Sequence, residues 1–207
     1  MVFGVEIPGL LDVRYNIAPS QSVAAVRDSD NGRELVTLRW GLIPSWTKDL
    51  KGPKPINARS ESVASNGMFR GPFRKRRCLV IADGFYEWKK TGGNKQPYYI
   101  GMTDEKPFAF AGLWDEWTNP EGEIIESCTL LTTTPNELVK TIHNRMPVIL
   151  PTSGYATWLS QKITESSEVL PMLKPYPADE MNAFPVSTLV NNPSNDSPKC
   201  IEPIQIA

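Results

Sequence analysis

The sequence predicts an α+β fold, a strand-rich single domain over residues 1–207 built as a curved antiparallel sheet or open barrel with a few peripheral helices. Three observations predict it. Apolar and β-branched residues cluster in short runs of strand length. The 19 prolines are spread along the chain and interrupt any long helix. Turn dipeptides stand between several of the runs.

The strand-like runs are 22–27, 34–42, 78–82, 84–88, 98–102, 108–113 and 124–132. Gly92-Gly93-Asn94 reads as a hairpin turn, since two adjacent glycines accept the positive φ angles that a two-residue loop needs. Asn119-Pro120-Glu121-Gly122 reads as a second turn. Thr134-Pro135-Asn136-Glu137 has the pattern of a helix start, with Thr134 as N-cap, and predicts a helix ending near Ile142. Residues 152–159 and 165–173 predict two further short helices. Asn191–Lys199 is polar and proline-interrupted, and predicts irregular structure.

A chain of 207 residues suits one core. No apolar run approaches the roughly 20 residues needed to cross a bilayer. The start Met1-Val2-Phe3-Gly4 lacks the basic and apolar stretches of a signal peptide, so no membrane association and a cytoplasmic location are expected. Three cysteines and one histidine exclude a disulfide framework and a Cys/His zinc site; no metal or cofactor is expected. The net charge of −1 argues against a nucleic-acid partner until its distribution is considered. Arg70, Arg74, Lys75, Arg76 and Arg77 place five cations in eight residues. That run is either a solvated basic loop or a phosphate-binding stripe.

Several polar residues could carry chemistry. Glu87 lies in Asp83-Gly84-Phe85-Tyr86-Glu87-Trp88, an aromatic strand entered through a glycine turn. A carboxylate between aromatic residues gains a raised pKa if buried, which suits a general acid or base; if the strand alternates the other way, Glu87 faces water. His143, the only histidine, stands in Ile142-His143-Asn144-Arg145-Met146-Pro147. It is either a surface or satisfied core residue or a site residue, with Arg145 a potential phosphate ligand beside it. Asn57 and Arg59 are two apart in an extended segment and so share a side, where amide and guanidinium could orient a sugar or phosphate. The bland alternative is a capping Asn57 and an Arg59–Glu61 ion pair. Arg14 and Asn16 flank Tyr15 in a loop, and Trp40 and Trp46 frame the bend Gly41–Ser45. Exposed aromatics beside cations hold unpaired bases by stacking, although either tryptophan, Trp40 in particular, could belong to the core. Cys78, His143 and Asn57 also supply the residue types of a thiol hydrolase, but Cys78 opens an apolar strand and reads as a strand residue.

In chain order, Arg14–Pro19, Trp40–Pro44, Asn57–Glu61, Phe73–Cys78, Asp83–Trp88, Ala111–Trp114 and His143–Pro147 together resemble the SOS response-associated peptidase (SRAP) family, the abasic-site processing proteins. Each motif is weak alone, while seven in order are specific. The resemblance spans about residues 15–190. It implies a protein that binds single-stranded DNA and captures the aldehyde of an abasic site; a monomer is expected. In the family, a cysteine following the initiator methionine closes a thiazolidine ring with that aldehyde, giving a stable DNA–protein crosslink. Carried over, Asn57 would position the amine or sugar. Glu87 would shuttle protons, and His143 would assist ring opening and crosslink reversal. Arg59 and Arg145 would hold phosphates, with Arg14, Asn16, Trp40, Trp46, Arg70, Arg74 and Arg77 completing the DNA-binding set. This chain opens Met1-Val2-Phe3 where the family pattern opens Met-Cys-Gly-Arg, so the expectation is that a short upstream segment with the nucleophile is missing. Two other functions remain open on the sequence: a non-catalytic single-stranded DNA-binding module, and a thiol peptidase acting in trans.

Overall fold

The computed structural model describes residues 3–5 and 13–206. Eleven strands are found among them: β1 (Ser22–Ser29), β2 (Gly32–Trp40), β3 (Asn57–Arg59), β4 (Arg77–Ala82), β5 (Gly84–Thr91), β6 (Asn94–Met102), β7 (Phe108–Thr118), β8 (Ile124–Thr133), β9 (Met146–Pro147), β10 (Ile149–Leu150) and β11 (Met181–Pro185). Three short α-helices accompany them: α1 (Arg70–Lys75), α2 (Tyr155–Leu159) and α3 (Ser166–Val169).

Strands β7, β4, β1, β2 and β8 follow one another around a five-stranded barrel, which the antiparallel β7–β8 pairing closes. Four of its five pairings are antiparallel, and the β2–β8 contact is parallel and only two residues long. The strand-rich α+β expectation holds, and closure removes the free edges an open barrel would expose. Alternation explains the interior. Along β1, Val23 and Ala25 point inward, and the first strands supply Val26 and Leu38 to the buried core. Ala111 and Gly112 on β7 let the barrel wall pack closely, since a Cβ on Gly112 would stand 2.8 Å from the Cys78 sulfur.

A second sheet, β11-β6-β5, is antiparallel throughout. The chain leaves β4, bends at Asp83 and enters it at Gly84. The expected glycine turn is a strand start instead: Gly84 is needed because the Tyr99 ring lies where its side chain would be, 2.2 Å from an added Cβ. The β5–β6 hairpin closes on Gly92 and Gly93, at φ 55° and 93°, as the sequence predicts.

The barrel wall opens at one end in a way that builds the site. Beyond the Gly112–Leu130 rung, β7 and β8 part. Segment 146–150 wedges between them, with β9 on β8 and β10 on β7, and Val148 bonds to both walls. On the other side of β8, β3 pairs in parallel with Leu130–Thr132. Thr132 is therefore in register with Arg59 on one side and Pro147 on the other.

The helix expected from Thr134 to Ile142 is a 3-10 turn over Val139–Thr141. Its start is fixed by Asn136, not Thr134: the buried Asn136 side chain accepts from the Val139 amide at 2.9 Å and donates to the Tyr176 carbonyl. Residues 152–159 and 166–172 are helical as expected, part α and part 3-10. No helix among the described residues is long and apolar enough to cross a membrane.

Candidate functional site

Strand β5 alternates. Tyr86 and Trp88 pack toward Val186, Val190 and Cys200, while Phe85 packs on the barrel and meets Phe110 edge-on at 5.8 Å. Glu87 shares the face of Phe85, so it points at the open barrel end and not into water. Its side chain is 22% exposed. Burial raises the carboxyl above its ordinary range, against the opposing pull of His143 and a hydrogen bond from the Trp88 backbone.

His143 arrives from the other side, at the end of the 3-10 turn and just before β9. Its Nδ1 lies 3.6 Å from Glu87 Oε1, 3.2 Å from the Arg145 carbonyl oxygen and 3.3 Å from the Arg145 amide nitrogen. An unprotonated Nδ1 accepts from that amide; a protonated one donates to the carbonyl and faces the carboxylate. The same nitrogen thus has a partner in either state.

Asn57 and Arg59 stand on the exposed face of β3, with Ala58 buried between them, as a period of two requires. Neither side chain makes a hydrogen bond or ion pair among the described residues. Together Asn57, Arg59, Glu87, Thr132, His143, Arg145, Met146 and Pro147 line a hollow of about 240 Å³. An open groove of about 840 Å³ adjoins it at His143 and is lined by Trp88, Lys89, Lys90 and Lys140 among others.

The sequence misassigned one partner in this hollow. Glu61 pairs not with Arg59 but with Arg145, whose two terminal nitrogens meet its oxygens at 2.6 and 3.0 Å. Arg145 also donates to the Thr132 carbonyl at 2.6 Å. Hydrogen bonding from Arg145 holds the Glu61 carboxyl down at about 2. Among the described residues, Arg59 is left as the uncommitted cation on this rim.

The remaining expected contacts fall elsewhere. Trp46 is 66% exposed in the loop after β2. Trp40 is half-buried, packs on the barrel core and donates to the Ile56 carbonyl at 2.9 Å, so it is largely structural. Arg14 is paired with Asp196 and bonds Gln21. Asn16 is a correction: it is 5% exposed, and its amide nitrogen lies within 3.0–3.2 Å of the carbonyls of Val190, Asn192 and Asn195. It ties the C-terminal loops down and is not free for DNA. Arg77 is a second correction. It is 4% exposed and donates to five carbonyls, those of Phe73, Arg74, Trp158, Ser160 and Ile163. Arg70 and Arg74, with Lys75, do lie exposed on α1. Val2, the position set against the family's cysteine, lies outside the described residues. The three cysteines are buried, and burial pushes the thiols of Cys78 and Cys128 up, the latter to about 12. Among the described residues no group of three His, Cys, Asp or Glu is placed to hold a metal.

Comparison with known proteins places the chain in a family. The chain is 46% identical over 190 residues to abasic site processing protein YoqW of Bacillus subtilis (strain 168), covering 91% of this chain and 85% of that one. It is 35% identical over 225 residues to abasic site processing protein HMCES of Gallus gallus, covering 93% of this chain and 66% of that one. A solved protein from Bacteroides thetaiotaomicron superposes with a TM-score of 0.82 at 30% identity, covering 90% of this chain and 82% of that one. The SOS response associated peptidase (SRAP) family model matches residues 6–193, and the chain belongs to that family.

Proposed function

We propose that this protein recognises abasic sites in single-stranded DNA and moves protons on the opened sugar at the Glu87–His143 hollow. The observation that carries the reading is a carboxyl raised by burial, 3.6 Å from the only imidazole, with an uncommitted amide and an uncommitted cation on the same rim. The relatives named for abasic site processing support the choice of lesion.

The chemistry follows from the groups. An abasic sugar in its open form presents an aldehyde. When an amine adds to it, the nitrogen loses a proton and the carbinol hydroxyl must leave as water. Glu87, whose carboxyl burial raises above its ordinary range, donates to that hydroxyl as the C–O bond breaks and the imine forms. His143, able to hold a proton on Nδ1 or release it, serves opening of the sugar ring and the reverse reaction. Asn57 orients the sugar or the amine, and Arg59 holds the flanking phosphate. Arg145 reaches a phosphate only where DNA displaces Glu61. Trp46 offers an exposed ring for an unpaired base, which favours single strands.

Thiazolidine formation needs an amine and a thiol on adjacent carbons of one residue. Cys78, Cys128 and Cys200 have their nitrogens in peptide bonds and their thiols buried, so only an N-terminal cysteine entering the hollow would serve. The same burial disfavours a thiol peptidase acting in trans, which needs an accessible nucleophile. We place the protein with DNA in the cytoplasm, acting as a monomer.

Fluorescence anisotropy tests the reading with three labelled oligonucleotides: abasic single-stranded, undamaged single-stranded and fully duplex. Affinity should fall in that order and weaken with added salt. Equal affinity for all three would refute it.

A further inference from the structure

Asp115 is the least exposed carboxylate among the described residues, at 1%, and it has no part in the chemistry above. It sits on β7 in register with Ser127 on β8. From this one rung, both side chains reach the loop that follows β2. Ser127 Oγ accepts from the Ile43 amide at 2.8 Å, and Asp115 Oδ2 accepts from the Ser45 amide at 3.0 Å. Two residues further along β7, Trp117 donates its ring N–H to the Thr47 carbonyl at 2.6 Å. The loop closes its own turn with a bond from the Thr47 amide to the Pro44 carbonyl at 3.0 Å. Trp46 is the aromatic residue of this turn and points out, 66% exposed. The second oxygen of Asp115 pairs with Arg76 Nη2 at 3.1 Å, immediately after α1 and its exposed cations.

Asp115 Oδ1 also accepts from the Glu116 amide at 2.9 Å, and neutral acceptors would suffice for amides alone. A buried carboxylate is costly unless it is paired, and here the pairing joins two surface elements. We propose that Asp115 is a positioning residue, which fixes the Trp46 turn as a rigid stacking platform and locks it to the basic helix α1. A ring held in place before binding loses little freedom when a base stacks on it, so the holding groups act on affinity without touching DNA. This proposal rests on the single-stranded DNA reading above.

The test is a double-mutant cycle with an undamaged thymine oligonucleotide carrying one 2-aminopurine, whose fluorescence is quenched by stacking. Trp46→Ala should weaken binding about tenfold, the scale of one lost base stack, and abolish protein-dependent quenching. Asp115→Asn should weaken binding about threefold and reduce the quenching when Trp46 is present, yet change neither in the Trp46→Ala background; coupling of this kind marks residues that act together. The cost of Asp115→Asn in thermal stability should be the same in both backgrounds. Should Asp115→Asn fail to fold, Ser127→Ala, which removes the acceptor for Ile43, should give the same non-additive pattern. Equal losses with and without Trp46 would overturn the positioning role. No binding by the wild-type protein would instead overturn the single-stranded DNA reading itself.

Discussion

Two polar regions of this molecule look alike in sequence and differ in what their side chains are committed to. Around Arg77, every donor is used: five carbonyls surround one guanidinium, and the Trp158 ring lies 5.7 Å from its centre. Around the hollow, Asn57 and Arg59 have no bonded partner among the described residues, and Glu87 faces His143 across 3.6 Å. A saturated polar group has no capacity left for a ligand, so it works for the fold. An unsaturated group held by rigid strands keeps that capacity for something outside the chain. Residue type does not separate the two, and bonding partners do.

The largest effect should come from the saturated side. Arg77→Ala leaves five carbonyls short of a donor, those of Phe73 and Trp158 in buried bonds, and opens a void beside Trp158. We expect a loss of about 3–5 kcal/mol in urea unfolding, on the scale of other broken buried polar networks. If Arg77→Ala instead remains as stable as the wild type and loses DNA affinity, the division between the two regions is wrong.

Arg59 should behave in the opposite way. Arg59→Ala leaves the melting temperature unchanged and weakens single-stranded DNA binding about tenfold, as the loss of one charge-assisted contact would. The slope of log affinity against log salt should shrink by about 0.7, the value for one phosphate on a single strand. Glu61→Gln, by releasing Arg145, should move both quantities the other way. Unchanged salt slopes in both variants would remove the phosphate role of this rim.

A smaller effect concerns pH. The Glu61 carboxyl is held at about 2 against an ordinary 4.5. A lowered pKa means that the ion pair contributes stability above about 4.5 and loses it as pH falls toward about 2. Half of this side chain is exposed, so solvent screening keeps the contribution small, under about 1 kcal/mol. Glu61→Gln should therefore be slightly less stable than the wild type at neutral pH and indistinguishable from it near pH 2. Glu87 has the reverse sign. Its raised carboxyl stabilises the fold below its ordinary pKa, and that contribution is lost as pH rises through the folded value. Glu87→Gln should accordingly gain stability relative to the wild type as pH rises. A wild-type-to-variant difference that ignores pH in either case would contradict the assigned environments.

What the sequence makes legible follows physical range. Alternation over 22–27 and the Gly92-Gly93 pair are local signals, and both elements stand where expected. The three-residue β3 carries too little pattern to announce a strand, yet it sets the pose of Asn57 and Arg59. Strand β11 ends on Pro185 and is not among the runs that the sequence marks as strands. The three residues Asn57, Glu87 and His143 were legible as a group because their motifs are, and the hollow brings them together. Their partners were not. Glu61 looked like a mate for Arg59 two residues away, but finds Arg145 across 84 positions. Asn16 and Arg77 sit in motifs that suggest DNA contact, and only their surroundings show that each serves the fold. The burial of Glu87 turns on which way β5 faces, and sequence alternation allows both directions until the barrel end is seen beneath it.

The central claim is that the Glu87–His143 hollow moves protons on an abasic aldehyde. The most direct measurement follows labelled abasic single-stranded DNA on a denaturing gel over time. It compares the chain beginning Met1-Val2, a form bearing an exposed N-terminal cysteine, and Glu87→Gln in that second form. The account predicts a heat-stable crosslink only when the cysteine is present, formed about a hundredfold more slowly by Glu87→Gln, the usual scale of a lost general acid. A heat-stable crosslink from the chain beginning Met1-Val2, or an unchanged rate with Glu87→Gln, would contradict it.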